Sequence, residues 1–409
     1  MLKKFSTYSL ILLFISWAPT KIEANDKFDL LIGDTENTTI SLLTCDPGNE
    51  IYSLFGHSAL RIQNPSQSIN WVINWGLFEF NENQLQFGYD FAKGRLNYYM
   101  GVQEISSFIY EYSYYKRGVR EQILNINTIN KKKLIALVQE NYRPEKRNYQ
   151  YEFFYDNCSS RIRDILVQSI GDELKWANHS DANKYTYRQI IHQYLKYDPW
   201  LELGIDLVLG SKIDVIVDNQ HLMFLPDYLE SIVDQSTLTN DNAIKAKNLV
   251  GLKRPIIISD KKTRETYNIS IYAWLSLLIT FSLLILKKEK LFNIWTSTNL
   301  LITGILGVLL VFMWWGTDHS GTKYNLNLLW ASPFNLLLVG VIIFKKWNKF
   351  SFIYIIISGI LLFSTILFWF TMAQELNPFV KPIIISLCLM YYYYFRKNKI
   401  LINLPQTKD

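Results

Sequence analysis

Apolar and polar residues alternate over several short stretches in the first 266 residues, and over others they recur at helical spacing. Residues 40–43, 60–63, 69–75 and 122–126 predict strands, the third reading Ile69-Asn70-Trp71-Val72-Ile73-Asn74-Trp75. Residues 129–142, 158–170, 185–196 and 225–233 predict helices, with Pro144 ending the first and Gly171 the second. The two kinds of element mix without a regular βαβ alternation, so the class is α+β. After Tyr267 the pattern changes. Apolar stretches at 269–286, 291–315, 326–344, 350–370 and 379–395 each approach the about 20 residues that cross a bilayer. They predict a transmembrane domain of five helices.

Charge sorts the linkers between these stretches. Residues 287–290, 345–349 and 396–399 are basic, whereas 314–326 and 371–378 are not. The positive-inside rule therefore puts the basic linkers and the C-terminus in the cytoplasm, and the soluble part outside it. At the N-terminus, Lys3 and Lys4 precede an apolar run and a polar segment ending in Ala24. This is the layout of a secretory signal cleaved after Ala24, with an uncleaved anchor as the alternative. The expected organisation is a signal over 1–24, a soluble domain over 25–266, a membrane domain over 267–397 and a cytoplasmic tail over 398–409.

Composition changes this picture little. The mean hydropathy of +0.04 averages two unlike halves. The net charge of +6 over 409 residues reflects membrane topology rather than nucleic-acid binding, and no nucleic-acid partner is expected. No HExxH, CxxC or clustered His/Asp spacing occurs and no Gly-rich phosphate loop, so neither a metal nor a cofactor is expected.

The candidate chemistry centres on Cys158, in Tyr155-Asp156-Asn157-Cys158-Ser159-Ser160-Arg161. A thiol at a helix N-terminus is stabilised as thiolate by the dipole and free N–H groups. The N–H of Cys158 or Ser159 would form part of an oxyanion hole. The alternatives are a structural cysteine or a Cys45–Cys158 disulfide in the oxidising exterior. His57, in Gly56-His57-Ser58-Ala59-Leu60-Arg61-Ile62, is the best base, and its alternative is a hydrogen-bonded histidine at a strand edge. Arg61 shares its face of the strand and is a substrate-binding candidate. His179, His192 and His221 are weaker rivals. Asn74, with Asn70 as runner-up, would orient the imidazole. Asp318 and His319 sit in a linker on the Cys158 side of the membrane and are candidates for binding a substrate headgroup. A solvated loop is the alternative there.

Taken in order, several motifs resemble a known family. They are Leu42-Leu43-Thr44-Cys45-Asp46-Pro47-Gly48, Phe55-Gly56-His57-Ser58-Ala59-Leu60-Arg61, Asn74-Trp75-Gly76-Leu77-Phe78-Glu79-Phe80, Tyr155-Asp156-Asn157-Cys158-Ser159, and Asp318-His319 with Asn325-Leu326-Asn327-Leu328-Leu329-Trp330. The chain resembles the Lnb inner-membrane proteins of Bacteroidota over nearly its whole length after the signal. The resemblance implies a permuted papain-like (NlpC/P60-like) periplasmic domain in which the histidine precedes the cysteine. It also implies lipoprotein N-acyltransferase activity, with a phospholipid as acyl donor and a diacylglyceryl-cysteine lipoprotein as acceptor. On that reading Cys158 is the nucleophile and His57 the base. A cell-wall peptidase or amidase anchored in the membrane is the alternative, because this fold hosts both chemistries.

Overall fold

The computed structural model describes residues 21–78, 83–239, 246–259 and 266–403. The signal segment expected over 1–24 falls mostly on residues outside these. In chain order the larger elements of the soluble part begin with α1 (Lys21–Gly33), β1 (Thr39–Cys45), β2 (His57–Asn64), β3 (Ile69–Phe78) and α2 (Gln84–Lys93). Next come β4 (Tyr98–Glu104), α3 (Ile105–Tyr114), β5 (Val119–Leu124), α4 (Thr128–Tyr142), β6 (Asn148–Tyr149) and α5 (Cys158–Ile170). They are followed by β7 (Leu174–Lys175), α6 (Tyr187–Leu195), α7 (Pro199–Val208), α8 (Asn219–Leu222), α9 (Pro226–Gln235), β8 (Thr237–Leu238), β9 (Lys247–Asn248) and β10 (Val250–Ile257).

Among the described residues, the strands form an antiparallel sheet of order β10-β5-β1-β2-β3-β4-β6 and a small sheet of order β7-β8-β9. The large sheet is covered on both faces. Leu42, Leu60, Ile62, Trp71, Ile73 and Trp75 pack against α1, α4 and α5. Leu43, Cys45, Ala59 and Val72 pack against Phe108 and Tyr112 of α3. Burial on both faces explains why the central strands read as apolar runs with weak alternation. The cross-strand pairs Cys45–His57 and Ala59–Asn74 put His57 and Asn74 on the α3 face.

The C-terminal region holds α10 (Ser270–Ile285), α11 (Glu289–Trp315), α12 (Asn335–Phe344), α13 (Lys349–Leu367) and α14 (Val380–Asn403). Of these, α11 and α13 are long and apolar enough to cross a membrane, while α10 and α12 are shorter apolar helices. The predicted element over 326–344 is not one helix. It divides into a 3₁₀ turn, Leu326–Leu329, and a helix of 10 residues. Pro333 lies between them, lacks the N–H a continuous helix needs, and disfavours helical geometry in the residue before it.

Polar side chains from the membrane region close the C-terminus of α7. Asn325 Nδ2 donates to the carbonyls of Leu207 and Val208 at 2.8 and 3.0 Å. Asn327 Nδ2 donates to those of Asp206 and Leu207, and Gln374 Nε2 to that of Leu209. A helix end leaves its last carbonyls without intrahelical partners, and here the membrane domain supplies them. The soluble domain is thus seated on the loops between membrane helices.

Candidate active site

Cys158 opens α5, and Asn157 caps it. The Asn157 Oδ1 accepts from the N–H groups of Ser159 and Ser160, each at 2.9 Å, while the Ser160 hydroxyl accepts from the Asn157 N–H. This reciprocal pair is a capping box. The Asn157 Nδ2 donates to the carbonyls of Phe153 and Phe224 at 2.6 and 2.7 Å, fixing the turn before the cysteine. The Ser159 N–H is therefore committed to the cap. Of the two amides expected for an oxyanion hole, the Cys158 N–H remains.

Replacing Asn157 with Asp keeps the cap acceptor but turns an oxygen toward two buried carbonyls. The expected cost is about 1–3 kcal/mol, read as a lowered thermal midpoint of the purified protein.

The Ser159 hydroxyl meets the Ser58 hydroxyl at 2.9 Å, fastening the start of α5 to the start of β2. His57 stands next to Ser58 there. Gly56 lets the chain turn into β2 close against β1: its φ is +79°, and a Cβ would lie 2.7 Å from the Cys45 carbonyl oxygen. The His57 Nε2 lies 3.1 Å from Asn74 Oδ1. Since a carbonyl oxygen accepts, Nε2 carries the proton and Nδ1 is left as the basic atom.

Electrostatics couple the two groups. Burial pushes the Cys158 thiol up, but the charge of His57 and hydrogen bonds from His57, the Ser58 N–H and Ser159 bring it below its ordinary value. Burial pushes the His57 imidazole down, but the charge of Cys158 and bonds with Cys158 and Asn74 hold it above its ordinary value. Each group favours the charged form of the other, as in a thiolate–imidazolium pair. Cys45 contrasts with this. It is a free thiol, as Cys158 is, and burial pushes it up to about 12.

The structure places the remaining predicted residues elsewhere. Arg61 is buried and bonds Asn70 Oδ1 and Glu121 Oε1, both at 2.9 Å, so its charge is matched inside the sheet rather than offered to a ligand. Asp318 pairs with Arg95, and the His319 Nε2 donates to the Phe91 carbonyl at 3.0 Å. Both tie the loop to the end of α2. The loop does reach the segment before Cys158, through Ser320 Oγ donating to Glu152 Oε2 at 2.7 Å.

Several residues near the site went unseen in the sequence. Gly76 has φ +83° and lies at a register shift of β3, where a Cβ would be 2.9 Å from the Tyr151 ring and 3.8 Å from the Tyr149 hydroxyl. The Tyr149 hydroxyl is buried without a hydrogen-bond partner among the described residues, and the Arg161 guanidinium covers its ring at 3.5 Å. Glu111, on α3, feels the charge of His57 although burial raises its own pKa. The packing of α3 and α5 on the sheet brings these residues close, so no local pattern signals them.

The fold also gathers His192, Glu202 and Asp206, residues of metal-ligating type that have no ligand spacing in the sequence. They fit a cation poorly. Asp206 already accepts from Arg188, His192 and Asn377, and the Arg188 charge beside it repels a metal ion.

An antiparallel sheet that joins a helix-capped thiol to an imidazole, seated on apolar helices, defines a membrane-bound protein with a thiol–imidazole site in its soluble domain. Residues 25–193 match the Lnb N-terminal periplasmic domain, and residues 266–399 match the Lnb transmembrane domain. The chain belongs to the Lnb family and is a membrane protein with a periplasmic soluble domain. No curated protein and no solved structure matches it.

Proposed function

We propose that this chain is a lipoprotein N-acyltransferase working through a thioester on Cys158. His57 holds the thiol as thiolate, and Asn74 orients the imidazole. The thiolate attacks an ester carbonyl of a phospholipid, and the departing lysophospholipid oxygen takes the proton from the His57 imidazolium. The α-amino group of a diacylglyceryl-cysteine then attacks the thioester while His57 accepts its proton. An amide forms and the thiolate is released. The Cys158 N–H and the Tyr149 hydroxyl are the donors offered to the oxyanion in both steps.

The observation carrying this reading is the seating of a coupled Cys158–His57 pair on a membrane domain that itself caps α7. Acyl donor and acceptor both reside in the bilayer, so seating the thiol there turns two encounters into local ones. We also read the fold as a permuted NlpC/P60-like domain, with His57 on β2 preceding the cysteine helix. The membrane domain is read as five spans with a cytoplasmic C-terminus, the third built from the 3₁₀ turn and α12. The domain limits remain those given above, with the signal over 1–24. A membrane-anchored peptidase would use the same dyad but gives no reason for this seating.

The deciding experiment expresses the protein with a reporter lipoprotein in a host lacking its own N-acyltransferase, followed by mass spectrometry of the reporter's N-terminal peptide. A third acyl chain is expected. Two chains, with muropeptides released from cell wall by the purified protein, would replace this reading with the peptidase.

A further inference from the structure

The segment that ties the site to the membrane has an apolar side left exposed among the described residues. In α2, Leu85 and Tyr89 are one helical turn apart on one side and are 87% and 52% exposed. The C-terminal end of this helix rests on the periplasmic end of α11. Lys93 Nζ donates to the Gly316 carbonyl at 2.7 Å and lies 5.7 Å from the Phe312 ring, while the Asp318 N–H donates to the Lys93 carbonyl. The same level carries Trp314 and Trp315, stacked at 4.3 Å, with Trp315 65% exposed. Tryptophans at the end of an apolar helix mark the membrane–water interface. Lys93, its ammonium between the Tyr89 and Phe312 rings and bonded to the Gly316 carbonyl, sits where a cation meets that interface.

A row of rings leads from this helix toward the thiol. Phe87 contacts Phe78 at 6.0 Å, Phe78 contacts Tyr98 at 5.5 Å, and Tyr98 stacks on Tyr151 at 4.6 Å. Tyr151 lies against Gly76, two residues beyond Asn74. The row is continuous and largely apolar.

We infer that α2 is an interfacial helix, its Leu85–Tyr89 side inserted into the periplasm-facing leaflet of the bilayer. The aromatic row behind it is the path by which a phospholipid acyl chain reaches Cys158. The second half rests on the acyltransferase reading, whereas the first does not. A helix of this kind buries its apolar side roughly 5–10 Å into the boundary between headgroups and acyl chains.

The test uses the full-length Cys158→Ala protein in nanodiscs of phosphatidylethanolamine and phosphatidylglycerol. Nitroxide labels are placed at Leu85→Cys and, separately, at Tyr89→Cys. Ile129→Cys, at a 69% exposed position on α4, is the aqueous reference, and unsubstituted protein gives the background from Cys45 and Cys388. Labels at 85 and 89 are expected to collide more with oxygen than with a water-soluble nickel chelate, and the label at 129 to do the reverse. Collision with nickel at 85 and 89 equal to that at 129 overturns the inserted helix.

For the path, the combined Leu85→Glu and Tyr89→Glu variant, with Cys158 intact, is expected to lower the ratio of Cys158 acylation by bilayer phospholipid to acylation by a dispersed short-chain thioester. The expected drop is tenfold or more, and an unchanged ratio overturns the path. Should wild type accept neither donor, the acyltransferase reading and the path fall together, while the nitroxide result still decides the helix.

Discussion

Cys158→Ala is expected to leave the reporter lipoprotein with two acyl chains, and His57→Ala to slow N-acylation by roughly 10²–10⁴-fold. The two losses differ because the residues do different things. Without the sulfur there is no atom to carry the acyl group, so hydroxylamine-sensitive labelling of the protein disappears as well. Without the imidazole the sulfur remains, but its environment reverses. Burial, opposed now only by the Ser58 N–H and Ser159 hydrogen bonds, then pushes up a thiol whose ordinary value is 9.0, and the thiolate becomes scarcer at neutral pH.

This has a direct readout in iodoacetamide alkylation of Cys158 as a function of pH. In wild type the rate should rise through an inflection below 9.0, since the thiol is depressed. His57, held above its ordinary 6.5, supplies the positive charge that lowers it, until the imidazolium itself deprotonates at higher pH. The two groups titrate as a pair, so acyl transfer should show a bell-shaped profile whose limbs belong to both. In His57→Ala the alkylation inflection should move up, lowering the rate at pH 7 about tenfold or more. An unchanged inflection would remove His57 from the site. Asn74→Ala should keep the thiol reactive but slow acyl transfer, because the imidazole loses its orienting partner at 3.1 Å rather than its charge.

The sequence shows parts of this site because its strongest determinants are local. The amphipathic run after Asn157 marks α5 at its observed limits, and the Asn157 side chain supplies the cap that makes the start sharp. The apolar runs mark β1, β2 and β3, and with them the neighbourhood of His57 and Asn74. What stays hidden depends on separation. α3 carries a helical stripe of Ile105, Phe108 and Tyr112, but Tyr110 and Tyr114 on its exposed side blur it into an aromatic patch. In the third membrane stretch, a hydropathy average passes over the break at Pro333. Asp318 and His319 have the residue types of an active site, yet they bond to α2. Which groups they would meet was fixed by the packing of a helix more than 220 residues earlier. The asparagines that cap α7 have partners in another domain, and no spacing rule connects them.

Arg188→Met is expected to destabilise the protein by about 3–5 kcal/mol, the largest single loss of stability among the substitutions considered. The Arg188 side chain is fully buried. Its NH1 donates to Asp206 Oδ1 at 2.9 Å, its Nε to Asp214 Oδ1 at 2.8 Å, and its NH2 to the carbonyls of Leu209 and Gly210 at 3.1 Å each. Methionine fills similar space and leaves two carboxylates and two carbonyls without that donor. Arg188→Lys should recover little, since one ammonium cannot reproduce a fork facing two carboxylates and two carbonyls. Arg188→Met combined with Asp206→Asn and Asp214→Asn should recover more than either carboxylate change alone, because the penalty lies in unpaired buried charge. Thermal unfolding in detergent reads all five variants. The consequence reaches the membrane, since the Asp206 backbone carbonyl accepts from Asn327 and its Oδ2 from Asn377. Loosening the arginine therefore loosens the seat of the soluble domain. Proteolysis within residues 196–214 should accelerate in Arg188→Met and slow again in the triple variant; a protease pattern identical to wild type would show that the seat does not depend on this ion-pair network.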